Sequence, residues 1–459
     1  MRVNSRGWHI FKCPVNLSLV PHRPAAWRRK TSVHPAHPAL LSWLWLLCLI
    51  PAHAQDALLN AFSPTDSASA KANLASALPT ALVSDRYLGP VRFTVGAFAG
   101  LSYDDNTDLA QQSPEPDVIA RVGSSLNFDW LATDHSDLQL GADIGYLHYQ
   151  KYSYYSGLDI SPDSALSYAL TLDDVVLTLF DQLYYSRQVR TEAAIANEAT
   201  LPQLNNSAGF QAAWNPGHWA LLASYSHGNF VANHANDYLN RSSENFVARA
   251  GWRFAQATQI GVEASDALTA YQVAVQNNDQ NISVGGFVDW QVRPFFRLSL
   301  HGGPVFYQAE SGSTGGSPSL GSYYVTLDAS YQITDYVSHQ LSIKRSLQAG
   351  VNQGGGYYEQ LTVNYTLSWS LTRRISVGPT ATYEDGRQTL EQAFTIFSQT
   401  FLIPQNESYQ RYGGGLQATW HATDHLTAAL NFNHWLRHSD LPNRGYSDNL
   451  VSLQFTYTF

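Results

Sequence analysis

The sequence is poor in charged residues and methionine for its length. Charged residues make up 14% of the 459 positions, well below the usual ~25%, and methionine occurs once. Tyrosine, phenylalanine and tryptophan together make up 13%. This mixture is unlike that of an average soluble domain and favours strands in an apolar medium. No linker divides the middle of the chain, so one large domain is expected.

Cysteine is nearly absent, and both copies lie close to the N-terminus. Cys13 and Cys48 fall within the first 54 residues. If these residues are removed, the mature chain contains no thiol and needs no oxidative folding. A thiol-free chain fits passage across a bacterial periplasm.

Residues 1–54 have the composition of a cleaved signal peptide. They contain no acidic residue, and their apolar run at 39–50 is followed by Ala52-His53-Ala54, a small-x-small cleavage site before Gln55. The run has twelve residues, whereas a membrane-spanning helix needs about 20. The seven cations of this leader are Arg2, Arg6, Lys12, Arg23, Arg28, Arg29 and Lys30.

Removal of the leader makes the chain strongly acidic. Subtracting its seven cations from the 27 of the whole chain leaves 20 against 36 acids, a net charge of −16. Nucleic acid is therefore not expected as a partner, because surfaces that bind it are basic. Residues 55–90 are rich in Ala, Ser, Leu and Pro without strand alternation, and we expect a mobile periplasmic segment or a short helix at 67–78.

From Val91 onward, apolar and polar residues alternate to the end of the chain. In the last strand, Val451, Leu453, Phe455, Tyr457 and Phe459 share one face, because successive side chains of a strand point to opposite sides. A closed barrel would leave no edge beside this apolar row. The alternation predicts strands at 91–104, 118–132, 138–151, 164–172, 175–186, 206–214, 219–229, 245–255, 259–271, 282–292, 296–308, 322–333, 339–349, 357–371, 375–386, 409–421, 426–436 and 448–459.

The connections between these segments alternate between short and long. Short ones include 173–174, 215–218 and 372–374, and the longest are 187–205 and 387–408. Short turns at one end and long loops at the other are typical of outer-membrane barrels. We therefore predict that residues 91–459 form an all-β fold, a transmembrane antiparallel up-and-down barrel of about 18 strands, with 16 as the alternative.

Aromatic residues mark both ends of the predicted strands, as expected for two interfacial girdles. Tryptophans lie near the short turns: Trp130, Trp214, Trp219, Trp252, Trp290, Trp369 and Trp420. Tyrosines lie near the long loops: Tyr103, Tyr149, Tyr184, Tyr185, Tyr225, Tyr271, Tyr307, Tyr323, Tyr357, Tyr383 and Tyr412.

The polar faces of the strands are expected to line the lumen. A barrel of 16 to 18 strands is too wide for side chains alone to fill, so its interior holds water or a plug. Charges of both signs can either pair across strands or act on solutes. Arg249 and Arg253 share one face without an acid in their own strand, so they should contact anions most directly. The candidate pore-lining residues are Arg121, Asp143, Arg249, Arg253, Glu263, Asp289, Arg297, Asp328, Lys344 and Arg411.

No residue set predicts catalysis or a cofactor. His434, His438, Ser439 and Asp440 are close in sequence, but no nucleophile motif or metal spacing surrounds them, so we do not expect an enzyme. The acidic run Asp104-Asp105-Asn106-Thr107-Asp108 could bind Ca²⁺, yet it lacks the later bidentate acid of an EF-hand. A solvated loop is the preferred interpretation, and no cofactor or metal is expected.

Two short motifs resemble those of the β-barrel porin family found in exopolysaccharide gene clusters of Gram-negative bacteria. The first is Ser102-Tyr103-Asp104-Asp105-Asn106, a strand end, and the second is the final hairpin with Arg437, Ser439, Gly445, Tyr446, Asn449 and Phe459. The resemblance implies an outer-membrane barrel associated with polysaccharide export. Phe455, Tyr457 and Phe459 also resemble the C-terminal signal that the barrel assembly machinery recognises.

Three functions remain open at this point. They are a water-filled channel for polar solutes or polysaccharide, a structural or adhesive surface barrel without transport, and, least favoured, an outer-membrane hydrolase. The expected location is the bacterial outer membrane after export. The expected partners are outer-membrane lipid and lipopolysaccharide, the barrel assembly machinery and components of polysaccharide export.

Overall fold

The computed structural model describes residues 86–459 except 191, 233, 256–257, 274–277, 294, 311–318, 353–356 and 397–398. The predicted signal peptide and residues 55–85 of the predicted periplasmic segment lie outside the described residues. Within the described part, Ser153–Tyr155 and His234–Leu239 form short 3-10 helical turns. No helix there is long and apolar enough to span a membrane.

The remaining elements are strands, which follow one another along the chain. Their bounds are β1 Arg86–Leu88, β2 Val91–Asp104, β3 Asp117–Thr133, β4 Ser136–Tyr149, β5 Gly157–Ile160, β6 Ala165–Leu172, β7 Val175–Gln188, β8 Thr200–Trp214, β9 Trp219–Ala232, β10 Arg241–Ala255, β11 Thr258–Tyr271, β12 Asp279–Arg293, β13 Phe296–Ala309, β14 Ser319–Thr334, β15 Val337–Ala349, β16 Tyr357–Ser370, β17 Ile375–Ile396, β18 Gln399–His421, β19 Leu426–Ser439 and β20 Tyr446–Thr458.

Antiparallel pairing of sequence neighbours closes the strands into a barrel. The last strand, β20, pairs with β2 as well as with β19, and Leu453 lies opposite Leu101 across the closing seam. The short strands β5 and β6 both lie between β4 and β7, so together they form one position in the wall. Because β1 only extends the wall beside β2, the described chain forms a closed barrel of 18 strands. The alternative of 16 strands is therefore wrong.

Alternation along each strand separates an outer apolar surface from an inner polar one. In β20 the side chains of Val451, Leu453 and Phe455 are exposed on the outside, at 40–46% of their full area. Ser452 and Gln454 lie between them and point to the other face. A closed ring satisfies the backbone hydrogen bonds of every strand, which the membrane interior requires.

All eighteen predicted strands are present, but three segments differ from the prediction. Strand structure already begins at Arg86, within the predicted segment 55–90, because Arg86 to Leu88 pair with the start of β2. Gly157–Ile160 was predicted as loop, yet it forms the strand β5. This strand lies between β4 and β7, as β6 does, and a turn at residues 161–164 separates the two. Residues 387–408 were predicted as a loop, but β17 and β18 remain paired as far as Ile396 and Gln399. The two arms of a hairpin can pair with each other beyond the end of the barrel wall.

The two ends of the barrel carry different aromatic residues. All seven predicted girdle tryptophans are exposed at the short-turn end, and Trp219 lies directly opposite Trp252. At the long-loop end, Tyr103, Tyr323 and Tyr412 are exposed as predicted for a girdle. Tyr149, Tyr184 and Tyr307 were assigned to the same girdle, but they are buried inside, because they occupy inward positions of their strands.

Candidate functional site

The connection between β7 and β8, residues 189–199, folds into the barrel instead of extending away from it. We call it the crossing loop. Val189, Ala193, Ala194, Ile195 and Ala196 are each at most 5% exposed. The loop leaves the wall at the fifth and sixth of the 18 positions, whereas its ion pairs and side-chain hydrogen bonds reach β16 to β20 and β2. Its apolar residues also share a buried cluster with Phe230 of β9 and with Leu239. It therefore crosses the interior at the long-loop end.

A buried arginine of the crossing loop contacts the seam where the barrel closes. Arg190 Nε donates to Asp448 Oδ2 of β20 at 2.5 Å, and its Nη2 forms an ion pair with Asp104 of β2. Both acids are fully buried. Wall residue Arg411 of β18 donates from Nη1 to the backbone oxygen of Arg190 at 2.7 Å and pairs with Glu384 of β17. These contacts tie the start of the loop to both sides of the seam.

The second half of the crossing loop is held by its backbone oxygens. Arg437 of β19 donates from Nε to Ala193 O at 2.8 Å, and Arg444 donates from Nη2 to Ala194 O at 3.0 Å. Both arginines also pair with Glu407 of β18, each at 2.9 Å. Because both arginines bind backbone oxygens of the loop, its small side chains can pack against aromatic rings of the wall.

Aromatic residues of the wall form the apolar bed of the crossing loop. Tyr358, Tyr409 and Trp435 belong to the same buried cluster as Ala193 to Ala196. Two glycines make room for these rings: a Cβ on Gly386 would lie 2.1 Å from the Tyr409 ring, and one on Gly413 would lie 2.2 Å from the Trp435 ring. The Tyr358 hydroxyl donates to Gln348 Oε1 at 2.6 Å and lies 3.3 Å from Glu192 Oε2 of the loop.

The two sequence motifs that suggested a family meet at this site. Asp105 accepts hydrogen bonds from the backbone N and the Nδ2 of Asn449, at 2.7 and 2.6 Å. Asn106 donates from Nδ2 to Ser447 O at 2.8 Å, and Ser439 donates to Glu407 at 2.6 Å. The motif residues therefore join the β2–β3 loop to the final hairpin and help to enclose the crossing loop.

The proposed Ca²⁺ run has other partners. Carboxylate atoms of Asp104, Asp105 and Asp448 lie within 4.8 Å of one another. However, Arg190 forms ion pairs with both Asp104 and Asp448, and Asn449 donates a hydrogen bond to the Asp105 carboxylate. A guanidinium already supplies the positive charge that a cation would bring.

The four residues weighed as a hydrolase set each have a different partner. His434 contacts Asn449 Oδ1 through Nδ1 at 2.8 Å, and Ser439 donates to Glu407. Asp440 accepts from the backbone N of Ser408 at 2.9 Å, while the His438 ring packs edge-on against Tyr412. The structure does not bring them together into a reacting group.

Several of the predicted pore-lining residues form a network across four strands of the inner wall. Arg249 and Glu263 lie directly opposite each other and form an ion pair at 2.9 Å. Glu263 also contacts His301 Nδ1 at 2.9 Å, and Ser299 Oγ lies 3.0 Å from His301 Nε2 and donates to Asp289 at 2.6 Å. Arg249 therefore has an acidic partner in the neighbouring strand, which the sequence of its own strand did not reveal.

The other predicted pore-lining residues occupy separate parts of the wall. Arg121 of β3 pairs with Asp143 at 3.4 Å and with Asp159 of β5 at 2.9 Å. Arg253 donates to Asn215 Oδ1 at 2.9 Å near the short-turn end. Arg297, Asp328 and Lys344 lie half-buried on the successive strands β13, β14 and β15, and Ser299 faces Asp328 across one pairing. Arg411 is the exception, because it holds the crossing loop.

Sequence reasoning missed most of the residues that hold the crossing loop. Arg190, Glu192, Glu407, Arg444 and Asp448 were not among the candidates. A usable signal was present in the loop, because the run Ala193-Ala194-Ile195-Ala196 is apolar between two strands. An apolar run in a connecting loop predicts that the loop is covered.

No family model matches the sequence, and no curated protein matches it. Solved structures with a similar fold include the outer membrane protein OpdK from Pseudomonas aeruginosa, with 11% identity, 80% of this chain and 99% of that chain covered, and a TM-score of 0.45. OccK2 (OpdF) from the same organism has 10% identity, covers 82% and 99% of the two chains and has a TM-score of 0.44. A BenF-like porin from Pseudomonas fluorescens Pf-5 has 8% identity, 80% and 99% coverage and a TM-score of 0.45.

Proposed function

We propose that the protein is an outer-membrane channel for small polar solutes, narrowed at its long-loop end by the crossing loop. The observation that carries this proposal is a closed barrel of 18 strands whose outside is apolar and whose inner wall carries charged and hydroxyl side chains. Barrels of about 16 to 18 strands enclose an aqueous channel. Solutes would pass beside the crossing loop, whose ion pairs and hydrogen bonds reach β17–β20 and β2.

Planar-bilayer recordings of the purified full-length protein test the channel directly. Stepwise currents are expected when folded protein inserts, because a hydrated wall of mixed charge conducts ions. Folding is checked by the change in gel mobility on boiling. If the folded protein enters vesicles but never conducts, the channel is excluded and the structural or adhesive surface barrel becomes the better account.

The location and the assembly partners belong to the same proposal. Phe455, Tyr457 and Phe459 are exposed on the outer face, at 45–46% of their full area, and the backbone N of Phe459 donates to Val95 O at 2.9 Å. Phe459→Lys places a cation on the lipid face, and loss of the terminal aromatic also removes the proposed signal for the assembly machinery. Much less assembled protein is expected than for Thr456→Lys, whose side chain lies on the inner face. Equal yields would remove the special role of Phe459.

A link to polysaccharide export and its protein components is a finer proposal. It is supported by the two motifs that meet beside the crossing loop. If the channel passes such chains, acidic or neutral oligosaccharides added to the long-loop side or the short-turn side should interrupt the current. Current that is indifferent to both kinds of oligosaccharide leaves the channel intact but removes polysaccharide as its solute.

A further inference from the structure

His301 of β13 lies at the centre of the polar network on the inner wall of β10 to β14. Its ring is flanked by two carboxylates, since Nδ1 lies 2.9 Å from Glu263 Oε2 and Nε2 lies 3.8 Å from Asp289 Oδ1. The residue is 9% exposed. A histidine ring carries one proton or two, and the groups that face its two nitrogens decide which.

The hydrogen bonds at Nε2 indicate that this nitrogen carries a proton. Asp289 is a carboxylate at neutral pH and can only accept, so Ser299 Oγ donates its one hydrogen to Asp289 Oδ1, at 2.6 Å. The same Ser299 oxygen lies 3.0 Å from His301 Nε2. Because its hydrogen is already used, this oxygen accepts from the ring, and Nε2 is the donor.

The contacts of Glu263 indicate that Nδ1 carries a proton as well. Glu263 Oε2 lies 2.9 Å from both His301 Nδ1 and Arg249 Nε, and its Oε1 accepts from the Tyr324 hydroxyl at 2.7 Å. An ionised carboxylate can only accept, so the hydrogen between Glu263 and the ring belongs to Nδ1. With both nitrogens donating, His301 is a cation.

Aromatic packing favours the same charge. Phe287 of β12 stacks on the His301 ring, with the ring centres 5.5 Å apart and the planes 11° apart. The guanidinium of Arg249 lies 5.7 Å from the centre of the same Phe287 ring. Because the face of an aromatic ring attracts positive charge, Phe287 stabilises both cations.

Glycines of the neighbouring strands make room for this network. A Cβ on Gly261 of β11 would lie 2.7 Å from the Phe287 ring, and one on Gly285 of β12 would lie 2.1 Å from the Tyr324 hydroxyl. Tyr324 can therefore reach from β14 across β13 and β12 to Glu263 on β11. The network thus depends on the backbone of five successive strands.

The charge balance of the network depends on the second proton of His301. Arg249 and His301 bring two positive charges, and Glu263 and Asp289 bring two negative ones. A neutral ring would leave one negative charge in excess on the inner wall. The other charged side chains on the inner face of β13 to β15 are Arg297, Asp328 and Lys344.

We infer that His301 is a fixed cation of the channel wall, protonated on both nitrogens, and that its charge sets the ion preference of the lumen beside β10 to β14. The inference rests on the proposed channel function and deepens it by naming a residue that determines specificity. Fixed charges that line a pore set its electrostatic barrier. With His301 charged the network is neutral, whereas an uncharged side chain at this position favours cations over anions.

Nitrogen NMR of the folded full-length protein in detergent tests the charge without any conduction. Ring nitrogens with and without a proton give separate signals, and those of His301 are identified by their contacts with the Phe287 ring. At a pH of about 7.5 an exposed histidine, with its ordinary pKa of about 6.5, is roughly nine-tenths neutral. His301 should show two protonated nitrogens at this pH, and one bare nitrogen overturns the inference.

Reversal potentials across a salt gradient in planar bilayers test the effect of that charge. His301→Gln removes one positive charge and keeps a side chain that can donate and accept, so the potential should shift toward that of the cation. His301→Lys retains the charge and should stay close to the wild type. His339→Gln is the matched control and should cause no shift, because His339 lies opposite Tyr331, which is exposed on the outer face.

The possible outcomes separate the charge from the channel, once the folding of each variant is verified by its gel mobility with and without boiling. An unchanged potential in His301→Gln, or an equal shift in His301→Lys or His339→Gln, overturns the role in specificity. If the protein never conducts but His301 carries both protons, the channel and its selectivity are rejected while the assigned charge stands. If it conducts and His301 carries one proton, the channel stands and the inference is rejected.

Discussion

The two sides of the barrel interior use the same kinds of residue in opposite ways. On the side of β17 to β20, the side chains of Arg411, Glu384, Arg437 and Glu407 are all 0% exposed and every one has a charged partner. On the side of β7 to β10, Arg241 is almost as deeply buried, yet one of its nitrogens has no described partner. Burial alone therefore does not distinguish an arginine held by an ion pair from one whose hydrogen-bonding capacity is partly unused, whereas the contacts of its nitrogens do.

The largest effect should come from breaking a buried pair on the anchored side. Arg411→Met leaves Glu384 as an uncompensated buried charge and should reduce the free energy of unfolding by about 3–5 kcal/mol. Arg241→Met breaks no ion pair among the residues that the structure describes and should cost much less. Urea unfolding in lipid vesicles measures both. The double variant Arg411→Met/Glu384→Met should recover most of the loss, and an equal cost for the two single variants would contradict the comparison.

A smaller effect is expected from the apolar part of the anchor. Ile195 is 4% exposed within the crossing loop, and Ile195→Ala removes buried methyl groups and leaves a cavity. The expected loss is about 2–3 kcal/mol in the same unfolding experiment. An Ile195→Val variant, which retains most of the volume, should lose far less. No difference between Val and Ala at this position would mean that the loop is not packed as described.

Ion selectivity should respond unequally to the two arginines of β10. Arg253→Glu should shift the reversal potential of the channel toward cations, because its present partner, Asn215, is neutral. Arg249→Glu should shift it less, since a second carboxylate beside Glu263 would be held partly protonated by like-charge repulsion. A selectivity that ignores both substitutions would place these arginines outside the ion path.

The smallest effect is expected at an exposed pair in the loops. Hydrogen bonds from Lys151 and Tyr152 lower the pKa of Glu115, and the hydrogen bond to Glu115 raises the pKa of Lys151. The contribution of Glu115 to folding stability is fully present above its ordinary pKa of 4.5, and it is lost as the pH falls through the lowered pKa. The contribution of Lys151 to folding stability is fully present below its ordinary pKa of 10.5, and it is lost as the pH rises through the raised pKa. Lys151→Gln should therefore leave thermal stability unchanged near pH 7, because solvent screens exposed pairs. A clear loss would show that exposed and buried pairs are not as different as we argue.

The wall of the barrel could be predicted from the sequence because its physics is local. A strand between lipid and a wet lumen must alternate apolar and polar side chains, so the pattern from Val91 to Phe459 located all eighteen strands and their short turns. The errors in the predicted wall arise where this local pattern was not applied or does not hold. Tyr149 and Tyr307 were placed by residue type, although their position in the alternation directs them inward. The β17–β18 extension was missed because two arms that pair with each other need no lipid-facing pattern.

The interior could not be predicted in the same way, since its contacts join residues far apart in the chain. Arg190 meets Asp448 across 258 positions, and Arg437 meets Ala193 across 244. Nothing in one strand reveals the acid in the next, which is why Arg249 looked unpaired. The motif residues Asp104, Asp105 and Asn449 were recognisable, but their role in enclosing a loop becomes visible only when the barrel closes.

The most direct test of a passage beside the crossing loop compares unit conductance in planar bilayers before and after the loop is shortened. Residues 192–198 are replaced by a short Gly-Ser linker, and folding of both proteins is verified by their gel mobility with and without boiling. The account predicts stable currents from the wild type and a larger unit conductance from the shortened variant, because the loop occupies part of the mouth of the barrel. Equal conductance in the two proteins, or no current from either, would contradict it.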